Sequence, residues 1–179
     1  KNLSIISGSI GVGEEAKKRA HKIVSLGANL ITIDIAHGHS VQMFETIKWF
    51  KDSFPDVEII AGNVATPQAT VDLIEAGADA IKVGIGPGSM CTTRMITGCG
   101  VPQLTAIALC AEAASSYNIP VIADGGIKNS GDIVKALAAG ASTVMLGSVL
   151  AGTIETPGQI QHGKKLYRGM ASRSAQDSW

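Results

Sequence analysis

Short runs of β-branched apolar residues alternate along this chain with longer stretches whose apolar positions recur at helical spacing. The runs predict strands at Leu3–Ser7, Leu30–Ile35, Val57–Ala61, Ala80–Val83, Val121–Ala123 and Thr143–Leu146. They are apolar on both faces, as strands of a parallel sheet are when crossover helices cover them. The helices between them run into "SLGANL", "EAGADA" and "AAGAST". Glycine there takes the left-handed conformation that closes a helix and releases the chain into the next strand. The unit of strand, polar turn and helix repeats at roughly 25 residues, which makes each a βα unit with a right-handed crossover. In "FETIKWFKDSF", the side chains of Phe44, Ile47, Trp49 and Phe50 are expected to pack against the sheet or a subunit neighbour.

Six such units can be read from the chain. A closed (β/α)8 TIM barrel of ~250 residues needs eight. The expected architecture is that barrel, with its third to eighth strands in this chain and its first two units before residue 1. The last two strands run into "ADGG" and "LGS", and barrels place phosphate sites in the loops after strands seven and eight. An open doubly wound sheet is the alternative. It calls for a GxGxxG turn after the first strand, of which "GSIGVG" is a loose echo.

Composition narrows the class. The 179 residues suffice for one domain with a sizeable core. Apolar residues make up 45% but aromatics 4%, with 21 glycines, which suits helices packed closely on a sheet. Fifteen basic residues balance fifteen acidic ones without a basic run, which argues against nucleic acid and anionic membrane as partners. No segment approaches the ~18 uninterrupted apolar residues of a membrane span, and the start of the chain lacks a signal-peptide pattern. Three cysteines without disulfide or metal spacing fit a reducing compartment. A cytoplasmic α/β protein is the expectation.

In a barrel the active site is built from the C-terminal ends of the strands. Those ends read "IDIAHGHS", "AGNVAT", "KVGIGPGSMCTT", "ADGGI" and "LGSVLAG". They place Asp34, Asn63, Asp124 and Ser148 on one rim. Each has an ordinary alternative, since Asp and Asn cap helices and Asp-Gly-Gly makes a turn, but capping alone accounts poorly for all of them together. "DGG" and "LGS" offer backbone N–H groups from neighbouring loops, with a helix expected behind each, an arrangement that binds phosphate. His37 and His39 lack a third ligand at metal spacing and are expected to line the mouth. Cys110 sits in an apolar helix as a core thiol, and Cys99 has no assigned role. Cys91 lies on a loop rich in glycine, whose missing Cβ lets main chain approach a ligand closely. Its thiolate is either a nucleophile or an inert loop cysteine.

At "KVGIGPGSMCTTRMITGCGVPQLTAI" the chain resembles the catalytic-cysteine loop of the inosine-monophosphate dehydrogenase and guanosine-monophosphate reductase family. The resemblance continues through "IDIAHGHS", "AGNVAT", "EAGADAIKVG", "IPVIADGGIKNSGDIVKALAAGASTVMLGS", "LAGTIETPG" and "YRGMAS". It implies a (β/α)8 barrel, in many members with CBS modules inserted after the second unit, so that residues 1–179 follow that insertion. It implies that Cys91 attacks C2 of the purine while NAD takes the hydride, with Thr93 nearby. The resulting thioimidate is hydrolysed to xanthosine monophosphate, a step of GMP biosynthesis.

By the same resemblance, Ser89, Asp124, Gly126, Met145, Gly147 and Ser148 bind the purine mononucleotide, with Asp124 on the ribose and the glycine loops plus Ser148 on phosphate. Asn63 and Lys82 lie near the cysteine, and Tyr167, Gly169 and Met170 close over phosphate and base. Asp34 and Gly84 serve the cofactor. Carbonyls of Gly86, Gly88 and Cys91 hold potassium, and the assembly is a homotetramer, which in some members pairs to an octamer. From Gly169 the chain reads "GMASRSAQDSW" where the dehydrogenases typically read "GMGSLGAM", and Arg173 stands where many reductases carry glutamate. The dehydrogenase direction is preferred. The alternatives are an NADPH-dependent reductase converting GMP to IMP and ammonia, and a nucleotide-binding fragment without catalysis.

Overall fold

A computed structural model describes residues 5–169. Six parallel strands, β1 (Ser7–Ile10), β2 (Leu30–Asp34), β3 (Glu58–Val64), β4 (Ala80–Val83), β5 (Val121–Asp124) and β6 (Thr143–Met145), pair strictly in chain order. Helices α1 (Glu14–Ser25), α2 (Val41–Ser53), α3 (Pro67–Glu75), α5 (Gln103–Ser115) and α6 (Ser130–Ala138) make the crossovers, and a short α4 (Thr93–Thr97) interrupts the β4–α5 connection. A doubly wound sheet reverses strand order at its switch point. This order has no reversal, which sets the open-sheet alternative aside and matches a run of consecutive barrel units. A two-stranded antiparallel hairpin, β7 (Ile160–Gln161) and β8 (Lys164–Lys165), follows.

Register sorts the strand residues into two faces. Ile33, Ala61, Ile81 and Val121 stand opposite one another across four strands, and all are 0–2% exposed. Right-handed crossovers between consecutive strands place their helices on one side, and this is the covered side. Met43, Ile47 and Phe50 of α2, Leu73 of α3, and Ala106, Ile107 and Cys110 of α5 join the same core. The four-residue and three-residue steps between them are one helical face. Each large side chain so buried contributes roughly 1.5–3 kcal/mol of transfer free energy. Trp49 and Phe54 meet His21 edge-on at 5.7 and 4.9 Å, tying α2 to α1. The aromatic helix therefore packs within the chain.

The expected glycine closures form, and side chains not singled out in the sequence cap three of the helix starts. Ser40 Oγ accepts from Met43 N–H, Thr66 Oγ1 from Ala69 N–H, and Asn129 Oδ1 from Asp132 N–H. Gly27, Gly77 and Gly140 have φ of 96°, 113° and 104°, and the alanine after each donates its N–H to the carbonyl five residues back. Substituting any of these glycines forces a side chain into a left-handed backbone.

Two expectations need correction. Among the described residues the first strand runs Ser7–Ile10, with Ile5 and Ile6 left out of it, while Leu3 and Ser4 of the expected Leu3–Ser7 lie outside the described residues. Its ladder begins where Ser7 meets Leu30, Asn29 Oδ1 accepts the Ile6 N–H just before, and Gly8 lies where a Cβ would strike Ile23 of α1. Partner geometry, not β-propensity, set the register. Behind "LGS" no α-helix forms. Residues 147–156 make successive turns, because the hydroxyls of Thr153 and Thr156 both donate to the Leu150 carbonyl that a helix would use.

Candidate functional site

On the less covered face of the sheet, Asp34, Gly62 and Lys82 stand in one register row. Gly62 has no side chain, and a Cβ there would strike Lys82. The gap lets the Lys82 ammonium reach past β3 to Asp34 Oδ1 at 3.1 Å. Lys82 also donates to Asp124 Oδ2 at 2.5 Å and to Asn63 Oδ1. Asn63 completes the ring, donating from Nδ2 to Asp124 Oδ2 at 2.9 Å and to the Gly84 carbonyl at 2.8 Å. The lysine side chain is 1% exposed, whereas Asp124 and Asp34 are 24% and 49% exposed. A buried cation thus holds two carboxylates whose outer edges remain open to a ligand. Asp34, Asn63 and Asp124 do not cap helices; Ser40, Thr66 and Asn129 do.

The loop from Gly84 to Gly100 carries Cys91, which is exposed. Its thiol lies 3.3 Å from Thr93 Oγ1, and its N–H donates to the Gly88 carbonyl. Gly84 lies where a Cβ would meet the Asp124 carbonyl at 2.1 Å, and Gly125 where one would meet Pro87 at 2.8 Å. The "GPG" and "DGG" segments therefore pack backbone to backbone. Two residues outside the sequence-based assignments hold the main chain here. Gln103 donates from Nε2 to both the Val83 and Asp124 carbonyls, at 3.0 and 3.1 Å, bridging β4 and β5 where their ladder ends. Arg94 donates to the carbonyls of Ile85 and Val101, at 3.0 and 2.6 Å. Both are polar side chains at the edge of a glycine loop, and their targets are main-chain carbonyls that no sequence pattern names.

Between these loops lies a cavity of about 220 Å3. Ser89, Asp124, Gly126, Met145, Gly147, Ser148 and Tyr167 line it, all predicted, together with Lys128, which was not. Tyr167 arrives from beyond the hairpin, its hydroxyl 3.0 Å from where a Cβ of Gly147 would stand, and Gly169 passes beside Met90. Lys165 fixes that return by donating to the carbonyls of Thr153 and Thr156 at 2.5 and 2.6 Å. The chemistry on offer is hydrogen bonding to a polyhydroxyl group at Asp124, main-chain N–H groups and Lys128 for an anion, and a thiol on the adjoining loop. Met170 lies outside the described residues, as does Arg173.

His37 and His39 line a second cavity of about 210 Å3, beside Asn63 and Ile85. The His39 ring is 2.7 Å from Asp72 of α3. That hydrogen bond, and a second from Gln68, hold the Asp72 carboxyl below its ordinary range. Cys110 is buried, and burial raises its thiol above the ordinary range. Cys99 is exposed at the loop's far end.

Comparison with known proteins agrees with the motifs. A family profile described as "IMP dehydrogenase / GMP reductase domain" matches residues 1–178. Inosine-5'-monophosphate dehydrogenase of Aquifex aeolicus is 56% identical over 177 residues, covering 97% of this chain and 36% of the relative. The proteins of that name from Halalkalibacterium halodurans and Nitrosopumilus maritimus are 54% and 51% identical, over 97% and 98% of the chain. The chain spans 36–38% of the length of these relatives.

Proposed function

This chain belongs to the IMP dehydrogenase / GMP reductase family, and on that premise we propose that its site oxidises inosine monophosphate to xanthosine monophosphate through a covalent adduct on Cys91. The observation that carries the reading is the pairing of an exposed thiol on the glycine loop with the adjoining cavity formed by Asp124, Gly126, Gly147, Ser148 and Tyr167. Asp124 receives the ribose hydroxyls, its orientation fixed by Lys82 and Asn63. The phosphate takes main-chain N–H groups near Gly126 and Gly147 and the Ser148 hydroxyl. Ser89, Met145 and Tyr167 enclose the rest of the nucleotide, and Gly169 passes close by.

The Cys91 thiolate then adds to C2 of the purine, forming a C–S bond, and hydride departs from C2. Bound NAD supplies the hydride acceptor. Water adds to C2 of the thioimidate, the C–S bond breaks, and the thiol is restored. Overall, IMP, NAD and water become XMP, reduced NAD and a proton. Thr93 Oγ1, at the sulfur, orients the thiol or the attacking water. Asp34 fits a cofactor ribose because its carboxylate is half-exposed while anchored by Lys82, and Gly84, whose carbonyl accepts from Asn63, is the second residue assigned to the cofactor. Carbonyls of Gly86, Gly88 and Cys91 are oxygen donors of the kind hard cations take. They fit potassium with the Gly88 oxygen also accepting from Cys91 N–H. The six strands are read as units three to eight of a (β/α)8 barrel in a homotetramer.

The test is the near-ultraviolet absorbance of reduced nicotinamide with the full-length protein. Inosine monophosphate, NAD and potassium should give a rise that Cys91→Ala abolishes. A fall with guanosine monophosphate and NADPH alone would reverse the direction, and silence in both with nucleotide bound would leave a binding protein.

A further inference from the structure

The glycines around Cys91 make room for an arginine as well as for a ligand. Arg94 leaves the first turn of α4 and runs back between two backbones. A Cβ on Gly86 would stand 2.5 Å from Arg94 Cγ, and one on Gly100 would stand 2.8 Å from the same atom. Both glycines have positive φ, 81° and 157°. The slot they leave admits the aliphatic stem, and the head donates from Nε to Ile85 O at 3.0 Å and from Nη2 to Val101 O at 2.6 Å. Ile85 and Val101 bracket the segment that carries Cys91. Among the described residues Arg94 forms no salt bridge, so its contacts are to main chain alone and its charge strengthens both.

We propose that Arg94 is a positioning residue for the reaction at Cys91: it straps the two ends of the loop together and so fixes the cysteine relative to the nucleotide cavity. The guanidinium is suited to this because it aims two donors in fixed directions, whereas an ammonium is a point charge on a flexible stem. A strand ladder cannot do the work, since β4 ends at Val83, and α4 is too short to brace the loop. The role rests on Cys91 being the nucleophile, as proposed above.

The experiment compares wild type, Arg94→Ala and Arg94→Lys in the full-length protein. It measures kcat, KM for the nucleotide, the thermal midpoint, and protection of Cys91 from iodoacetamide by inosine monophosphate. Arg94→Ala should lower kcat about 100-fold, the scale of a ~1 Å misplacement of a reacting group. KM should move less than about threefold. Arg94→Lys should not recover the loss. Millimolar methylguanidinium, which fits the vacated slot, should restore turnover and Cys91 protection in Arg94→Ala. Wild-type turnover in Arg94→Ala would overturn the proposal. So would a collapsed thermal midpoint unrelieved by methylguanidinium, which would make Arg94 a folding residue only. A wild type with neither turnover nor nucleotide protection would instead remove the premise that Cys91 is the nucleophile, and the strap's catalytic role with it.

Discussion

Lys82 is named in the sequence only by family resemblance, as a residue near the cysteine, and in space it is the hub of the rim. The "IKV" strand reads as apolar core, yet its lysine is buried and meets two carboxylates and an amide. A buried ammonium is tolerated only with such partners. Removing it leaves two like charges facing each other with no shared cation. Lys82→Met should therefore destabilise the protein by about 3 kcal/mol, the lower end for a broken buried pair because Asp34 reaches water. Denaturant unfolding of the full-length protein checks this, and a loss below about 1 kcal/mol would mean the hub is dispensable. Asp34, Asn63 and Asp124 were legible as rim residues. Lys82 was named beside them by resemblance, but its role as their common partner was not legible, because pairing across β3 depends on the empty space above Gly62.

At the scale of elements, the strand–helix repeat and its punctuation were legible. Glycine-ended helices appear at all three expected positions, since left-handed closure is a local backbone property. Caps are equally local. Asn129 accepts the Asp132 N–H, while Asp132 accepts the N–H of Lys128, a residue lining the nucleotide cavity. That main-chain donor holds the Asp132 carboxyl below its ordinary range. Asn129→Ala should lower stability by about 1 kcal/mol and Asn129→Ser by much less, read from shifts in denaturant midpoint. Equal effects of the two would show that α6 does not depend on its cap. The start of β1 and the turns after "LGS" were misread for one reason. Propensity scores a segment alone, whereas ladder register and the Leu150 carbonyl are settled by contacts made elsewhere.

Across the whole molecule, Cys110 reports on the core. It lies on α5 against α3, fully buried, and burial raises its thiol, partly offset by a hydrogen bond with Thr70. The folded state therefore keeps the proton to higher pH than the unfolded chain does. Its contribution is complete below about pH 8.5, the ordinary cysteine value, and is lost as pH rises through the folded value. The stability advantage of wild type over Cys110→Ala should accordingly shrink between pH 7.5 and pH 9.5, measured by paired denaturant titrations. An advantage constant with pH would refute the burial-raised thiol. Alkylation should follow the same geography, fast at exposed Cys91 and Cys99 and limited by opening of the core at Cys110.

The sequence by itself determined the alternation of strands and helices, their parallel sense, the helix ends and the rim residues. These follow from periodicity, backbone conformational preference and motif order, which are written over short spans of chain. Only the tertiary structure decided that the strands pair without reversal, that Lys82 joins Asp34 to Asp124, and that Gln103 and Arg94 hold the cysteine loop by its carbonyls. Each of these depends on atoms brought together across the sheet by register, or on main-chain oxygens that are alike at every position and gain meaning only from their placement.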